Sequence, residues 1–281
     1  MPQIINTNMM SLNTQRHLNS SQASMQTALE RLSSGLRINR AKDDAAGLAI
    51  SERLTAQIRG LEQANRNAND AISMMQTAEG AMQEIANSLQ RMRELAIQAR
   101  NGTVSSTDKA SLDAEFQQLK TEIIRITDTA EFNNTNLLGT NASLDFQVGF
   151  ENGANNQITL STINLSTANF VSGGIRSAIT TATGVSTVAK ASQAMSLMSK
   201  ALDAISAKRA DFGAKQNRID ATIRNNANIV ENQSAARARI RDTDFAAETA
   251  ELTRTQILQQ AGTAMLAQAN QLPSNVLTLL G

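Results

Sequence analysis

Apolar residues recur at alternating steps of four and three from Leu54 onward: Leu54, Ile58, Leu61, Asn65, Ala68, Ile72, Met75, Glu79, Met82, Ala86, Leu89, Arg93 and Ala96. Ten of these thirteen positions are apolar, which is the heptad signature of a long helix packed lengthwise against others. The stretch lacks proline, and with its flanks the helix is expected from about residue 44 to 100, a rod of roughly 85 Å. Weaker seams flank it. Leu18, Met25, Leu29, Leu32 and Leu36 form one near the start. Asp43 or Asp44 is placed to cap the rod, and Asn101-Gly102 to end it. Ser105-Ser106-Thr107-Asp108 offers a new cap, and Leu112, Phe116, Leu119, Ile123 and Ile126 then describe a return helix. A fourth helix is expected from Val188 through Ala191, Met195, Met198, Leu202, Ile205, Arg209, Phe212, Gln216, Ile219, Ile223, Asn226 and Val230. Near the end, Leu258, Met265, Leu272 and Leu279 recur at steps of seven, with Val276 between the last two.

Between the return helix and the fourth helix the period falls to two. Leu144, Phe146, Val148 and Phe150 alternate with polar residues or glycine, turn residues follow, and Ile158 and Leu160 alternate again. This predicts a β-hairpin. Residues 161–187 hold eleven Ser or Thr and one charge, Arg176. They read either as a solvated loop with some strand or as a platform for hydroxyl-linked glycans. The predicted fold is therefore mainly α: a long antiparallel helical bundle or coiled coil with a small β-hairpin region, elongated as a rod.

Composition supports interhelical packing rather than catalysis. The 281 residues include seven Phe, no Trp, no Tyr and no Cys. Net charge is +1 with mixed signs, so no nucleic-acid stripe is present. No metal or thiol chemistry is expected, since His17 is the lone histidine. Asp43 and Asp44, being adjacent, suit capping better than proton transfer. Asp242 and Asp244 beside Arg239 and Arg241 read as local ion pairs of little worth. No phosphate-binding glycine pattern occurs. We expect no enzyme, no cofactor and no membrane insertion, and no cleavable signal peptide is visible. The final 27 residues after Arg254 carry no charge.

Two segments resemble those of a known family. Leu29-Glu30-Arg31-Leu32-Ser33-Ser34-Gly35-Leu36-Arg37-Ile38-Asn39, with Ala41-Lys42-Asp43-Asp44-Ala45-Ala46-Gly47, resembles the amino-terminal signature of bacterial flagellin. Ile257-Leu258-Gln259-Gln260-Ala261-Gly262, with Leu266-Ala267-Gln268-Ala269-Asn270-Gln271, resembles the carboxy-terminal one. The resemblance implies a subunit of a hollow helical filament that drives motility. It implies export in an unfolded state by the flagellar type III apparatus, and an extracellular place in the flagellum. Residues 1–45 and 236–281 would form a discontinuous terminal coiled-coil domain lining the inner tube. Residues 46–235 would form the helical-bundle domain, with the hairpin region at about 131–187 and no large outer domain. Implied partners are other copies of the chain, an export chaperone at the C-terminal segment, filament cap and hook-junction proteins, and Toll-like receptor 5 of a host. By resemblance, Arg91, Leu95 and Glu115 would contact that receptor and neighbouring subunits, with Arg91 and Leu95 on the outer side of the rod. Leu18, Met25, Leu29, Leu32, Leu36, Leu258, Met265, Leu272, Val276 and Leu279 are the expected terminal packing residues. A hook–filament junction protein of the same superfamily is the alternative.

Overall fold

The computed structural model describes residues 7–139, 143–162, 182 and 184–278, with side chains up to residue 271. Five helices dominate: α1 (Met9–Ser34), α2 (Ala45–Arg100), α3 (Ser106–Thr129), α4 (Val188–Arg241) and α5 (Phe245–Thr278). Between α3 and α4 lie short strands β1 (Glu131–Phe132), β2 (Thr135–Asn136), β3 (Ser143–Gln147) and β4 (Gln157–Ser161). Most of the Ser/Thr-rich stretch, including Phe170 and Arg176, lies outside the described residues.

The helix ends follow from local chemistry. Gly35 closes α1 in the left-handed conformation, φ 69°, with its N–H donating to Arg31 O, a conformation glycine adopts without steric cost. The two aspartates before α2 divide their work. Asp44 Oδ1 accepts from Gly47 N at 2.8 Å and caps the helix. Asp43 Oδ2 accepts from Arg40 N at 3.0 Å and Asn39 N at 3.2 Å and closes the preceding turn. A Cβ on Gly47 would stand 2.8 Å from Ile38 Cδ1, so glycine is what lets buried Ile38 pack there. Ser105 and Asp108 form the reciprocal capping box that their spacing predicts. Asp244, expected in an ion pair, instead caps α5 by accepting from Ala246 N at 2.9 Å.

The chain divides into two compact units, Met1–Ile58 with Glu231–Gly281, and Arg59–Val230. These units divide at 58/59 and 230/231, and the resemblance implied domain boundaries at 45/46 and 235/236. Within the first unit the beginning of α2 meets the end of α4: Gln233 Nε2 donates to Gln57 Oε1 at 3.0 Å, and Arg237 Nη1 to Thr55 Oγ1 at 3.5 Å.

In the second unit α2, α3 and α4 share one apolar core. The buried seam of α2 is Leu61, Ala64, Ala68, Ala71, Met75, Ala78, Met82, Ile85, Leu89, Met92, Ala96 and Ala99, all at most 2% exposed. It alternates three and four without a slip. Five of its twelve members stand one residue from the expected ones, Ala64, Ala71, Ala78, Ile85 and Met92 in place of Asn65, Ile72, Glu79, Ala86 and Arg93, with Ala86 still buried beside the seam. Arg93 is exposed. Likewise in α4, Ala194 and Ala201 are buried, while Met195 and Leu202 only flank the core and Val188 is 47% exposed. Alanine at the closest approach lets helix backbones draw together. In α3, Phe116 and Ile123 are buried as the spacing predicts.

Polar residues interrupt the α2–α4 contact at two levels. Arg209 Nη2 reaches Glu79 Oε1 at 3.5 Å. Asn226, 4% exposed, donates to Asn65 Oδ1 at 3.1 Å and to Val148 O at 2.8 Å. These pairings make α2 and α4 antiparallel within the unit.

The predicted hairpin is present as β3 and β4, in antiparallel register with Leu144 opposite Leu160 and Phe146 opposite Ile158. Its first strand stops at Gln147, short of the expected Phe150. Beyond it, Val148 N and Gly149 N both donate to Asn156 O, which starts the connecting loop. A second, tighter hairpin pairs β1 with β2. Asn133 and Asn134 turn it at φ 46° and 63°, the left-handed conformation that short hairpins need and that asparagine tolerates.

Candidate assembly and recognition surfaces

In the first unit α1 and α5 run antiparallel. Asn8 Nδ2 donates to Ala269 O at 2.7 Å, a Gly262 Cβ would meet Leu18 at 3.2 Å, Arg31 pairs with Glu248 at 3.6 Å, and Leu36 bridges Asp242. The covered stripe of α1 is Ser11, Thr14, Leu18, Ser21, Met25, Ala28 and Leu32. That of α5 is Leu252, Thr255, Gln259, Gly262, Leu266 and Ala269. Both again step by three and four. Their members are small or polar more often than not. Buried Thr255 satisfies its hydroxyl by donating to Glu251 O at 2.9 Å.

Large apolar side chains lie on the other faces. Leu12, Leu29, Ile257, Leu258 and Met265 are 46–60% exposed, and Met9 and Met10 still about as much. This corrects several expected packing residues. Leu18, Met25 and Leu32 are half-buried in the seam. Leu29 is not, because the turn of the helix brings neighbouring Ala28, 1% exposed, to the partner. Leu36 lies beyond the Gly35 stop and pairs through its backbone. Leu258 and Met265 sit one step before the true seam members Gln259 and Leu266. The side chains of Leu272 and Val276, and all of Leu279, lie outside the described residues. The missed residues had a signal: steps of three and four join Thr255, Gln259, Gly262, Leu266 and Ala269. Polar and small side chains hid it.

The other predicted cluster lies in the second unit. Arg91 Nε donates to Glu115 Oε1 at 2.8 Å, joining α2 to α3. Its Nη1 also reaches Glu94 Oε2 at 3.2 Å. The three side chains are 50%, 44% and 66% exposed. Hydrogen bonding to Glu115, then to Glu94, raises the arginine's pKa further above its ordinary value. Leu95 belongs elsewhere: it is 0% exposed, four residues on from Arg91 but turned to the core. Its expected place on the outer side is thereby corrected.

Among the described residues no three His, Cys, Asp or Glu side chains gather as metal ligands. No described helix is long and apolar enough to cross a membrane.

Residues 5–143 match the family model for the bacterial flagellin N-terminal helical region. Residues 195–280 match that for the C-terminal helical region. The chain belongs to the bacterial flagellin family. A flagellin of Halalkalibacterium halodurans is 49% identical over 278 residues, covering 99% of each chain. Flagellin FlaB2 of Treponema pallidum is 44% identical over 286 residues with the same coverage. Among solved structures, a putative flagellar hook-associated protein from Vibrio parahaemolyticus matches with TM-score 0.61 and 10% identity, covering 71% of this chain and all of that one. At that identity the likeness is one of fold alone. Flagellins are structural proteins, and this chain is accordingly a structural subunit of the flagellar filament and no enzyme.

Proposed function

We propose that this flagellin polymerises by burying the exposed apolar stripes of α1 and α5 against other copies, forming a hollow helical filament that serves motility. One observation carries the reading: in the terminal pair the small and polar residues face inward while Leu258, Met265, Ile257 and Leu29 remain 46–60% exposed. Complete burial of such a side chain contributes about 1.5–3 kcal/mol. Several such burials per subunit favour association, and ordering of the pair becomes coupled to assembly. The charge-free C-terminal segment would give an export chaperone an apolar helix face to cover. Export unfolded through the flagellar type III apparatus, an extracellular destination, and contacts with filament cap and hook-junction proteins complete the reading.

The test is seeded growth of a Leu258→Ser, Met265→Ser variant. Growth should stop while the thermal melt of the monomer is unchanged, because neither side chain closes a core within the chain. Growth at the parent rate would overturn the proposal. Short caps in place of long filaments from the parent would favour a hook–filament junction role.

The unpolymerised chain is further proposed as a ligand of Toll-like receptor 5, with Arg91 and Glu115 presenting an exposed, mutually oriented charge pair. Leu95 would act only by holding the helix beneath them. In a receptor-reporter assay Arg91→Ala should lose signal; an undiminished signal would sink the recognition role.

A further inference from the structure

The loop joining β3 to β4 carries Asn152-Gly153 at its apex, and Asn101-Gly102 follows the end of α2. An asparagine followed by glycine can lose its side-chain amide, because the unhindered glycine nitrogen can reach the side-chain carbonyl. The two sites are held differently. Asn101 donates its N–H to Gln98 O at 3.1 Å, accepts from Val104 N at 3.3 Å, and its Oδ1 accepts from Thr103 N at 3.5 Å. The bonds that shape the other loop pass on either side of Asn152. Gln147 Nε2 donates to Glu151 O at 2.7 Å, and Asn156 N to Gly153 O at 2.9 Å. The exposed Asn152 side chain and the Gly153 N–H bear no hydrogen bond among the described residues. Asn152 also borders an open cleft of about 380 Å³ beside Gln63 and Asn67, so water reaches it.

We propose that Asn152 is a site of spontaneous deamidation, faster than Asn101. The Gly153 nitrogen, losing its proton to solvent base, attacks the Asn152 side-chain carbonyl carbon. The bond to the amide nitrogen breaks and ammonia leaves with a proton from water. Water then opens the cyclic imide at either carbonyl, leaving an aspartyl or an isoaspartyl residue. No electrons are exchanged. The product places a second carboxylate beside Glu151 and takes the formal net charge from +1 to zero. The isoaspartyl form also lengthens the loop's backbone. That loop carries Phe150, which lies on α2 only because Gly60 leaves room: a Cβ there would stand 2.9 Å from Phe150 Cβ. Conversion thus changes the charge of the hairpin tip and loosens its seat on the helix. The inference does not rest on the polymer reading.

The experiment is peptide mass mapping of the folded full chain aged in mildly alkaline buffer, with isoaspartate methyltransferase labelling as a second readout. The peptide holding Asn152 should gain the deamidation mass shift and methyl-acceptor activity ahead of the peptide holding Asn101. In denaturant the two rates should converge. Equal or slower conversion at Asn152 in the folded chain would overturn the proposal, as would a rate difference that survives unfolding. Gly153→Ala fits the loop, its Cβ meeting only Asn156 Nδ2 at 3.9 Å. It should suppress conversion at Asn152, and an unchanged rate there would also count against the site.

Discussion

The two compact units use the same three-and-four spacing to opposite ends. In Arg59–Val230 the α2 seam is filled by Leu61, Met75, Met82, Ile85, Leu89 and Met92, each at most 2% exposed. In the terminal pair the seam mixes half-buried Leu18, Met25, Leu32, Leu252 and Leu266 with Ser11, Ser21, Ala28, Thr255, Gln259 and Gly262, while Leu258 and Met265 are 46% and 57% exposed. Heptad spacing alone thus says where a helix faces a partner, not whether that partner lies within the chain. The Arg59–Val230 unit closes its own core. The terminal pair keeps its strongest apolar surface for something else, as a subunit that orders on assembly requires.

The largest expected effect tests the closed core. Leu89→Ala removes a fully buried side chain and should cost about 2–5 kcal/mol in denaturant unfolding. A cost no larger than that of Leu258→Ala in the isolated chain, where a change within about 0.5 kcal/mol is expected for an exposed position, would erase the contrast between the units. A smaller effect of opposite sign tests the open pair. Gly262 sits in the interior of α5, and alanine there should gain up to about 1 kcal/mol of helix stability. Its Cβ would meet Leu18 Cδ1 at 3.2 Å, the end of a side chain that can yield by rotating. Gly262→Ala should therefore raise the melting temperature of the α1–α5 pair measured by circular dichroism. A lowered one would mean that this seam is already closed tightly. The smallest effect concerns the turn between α1 and α2. Hydrogen bonding from Arg40 N, with that from Asn39 N, holds the Asp43 carboxyl below its ordinary 3.8. A carboxyl with a lowered folded pKa contributes stability that is full above the unfolded value and is lost as pH falls through the folded one. Asp43→Asn should accordingly flatten a small part of the stability loss below pH 3.8 and leave neutral-pH helix content unchanged. An undiminished acid response would remove Asp43 from the account.

Much of this was legible in residue order. The long helix expected at 44–100 is α2 at Ala45–Arg100, the Ser105 cap is in place, and Leu144, Phe146, Ile158 and Leu160 pair as expected. Less legible was the Asn133-Asn134 turn, where strands of two residues are too short for any alternation to register. Of the candidate sites, Arg91 and Glu115 do meet, but Leu95 does not share their surface.

What the sequence determined by itself is local: helix extent from heptad spacing and absent proline, helix ends from Gly35, Asp44 and Ser105, and the family from its two terminal signatures. Those depend on backbone dihedrals and on bonds spanning three or four residues. Only the tertiary structure decided which of two neighbouring residues faces the partner: Ala64 or Asn65, Ala28 or Leu29, Leu258 or Gln259. An amphipathic stripe is some 100° wide, about the angle that separates consecutive residues on a helix of 3.6 residues per turn. Both candidates therefore fit the spacing. Where the opposing helix lies chooses between them, and alanine or glycine at the closest approach can leave a leucine outside.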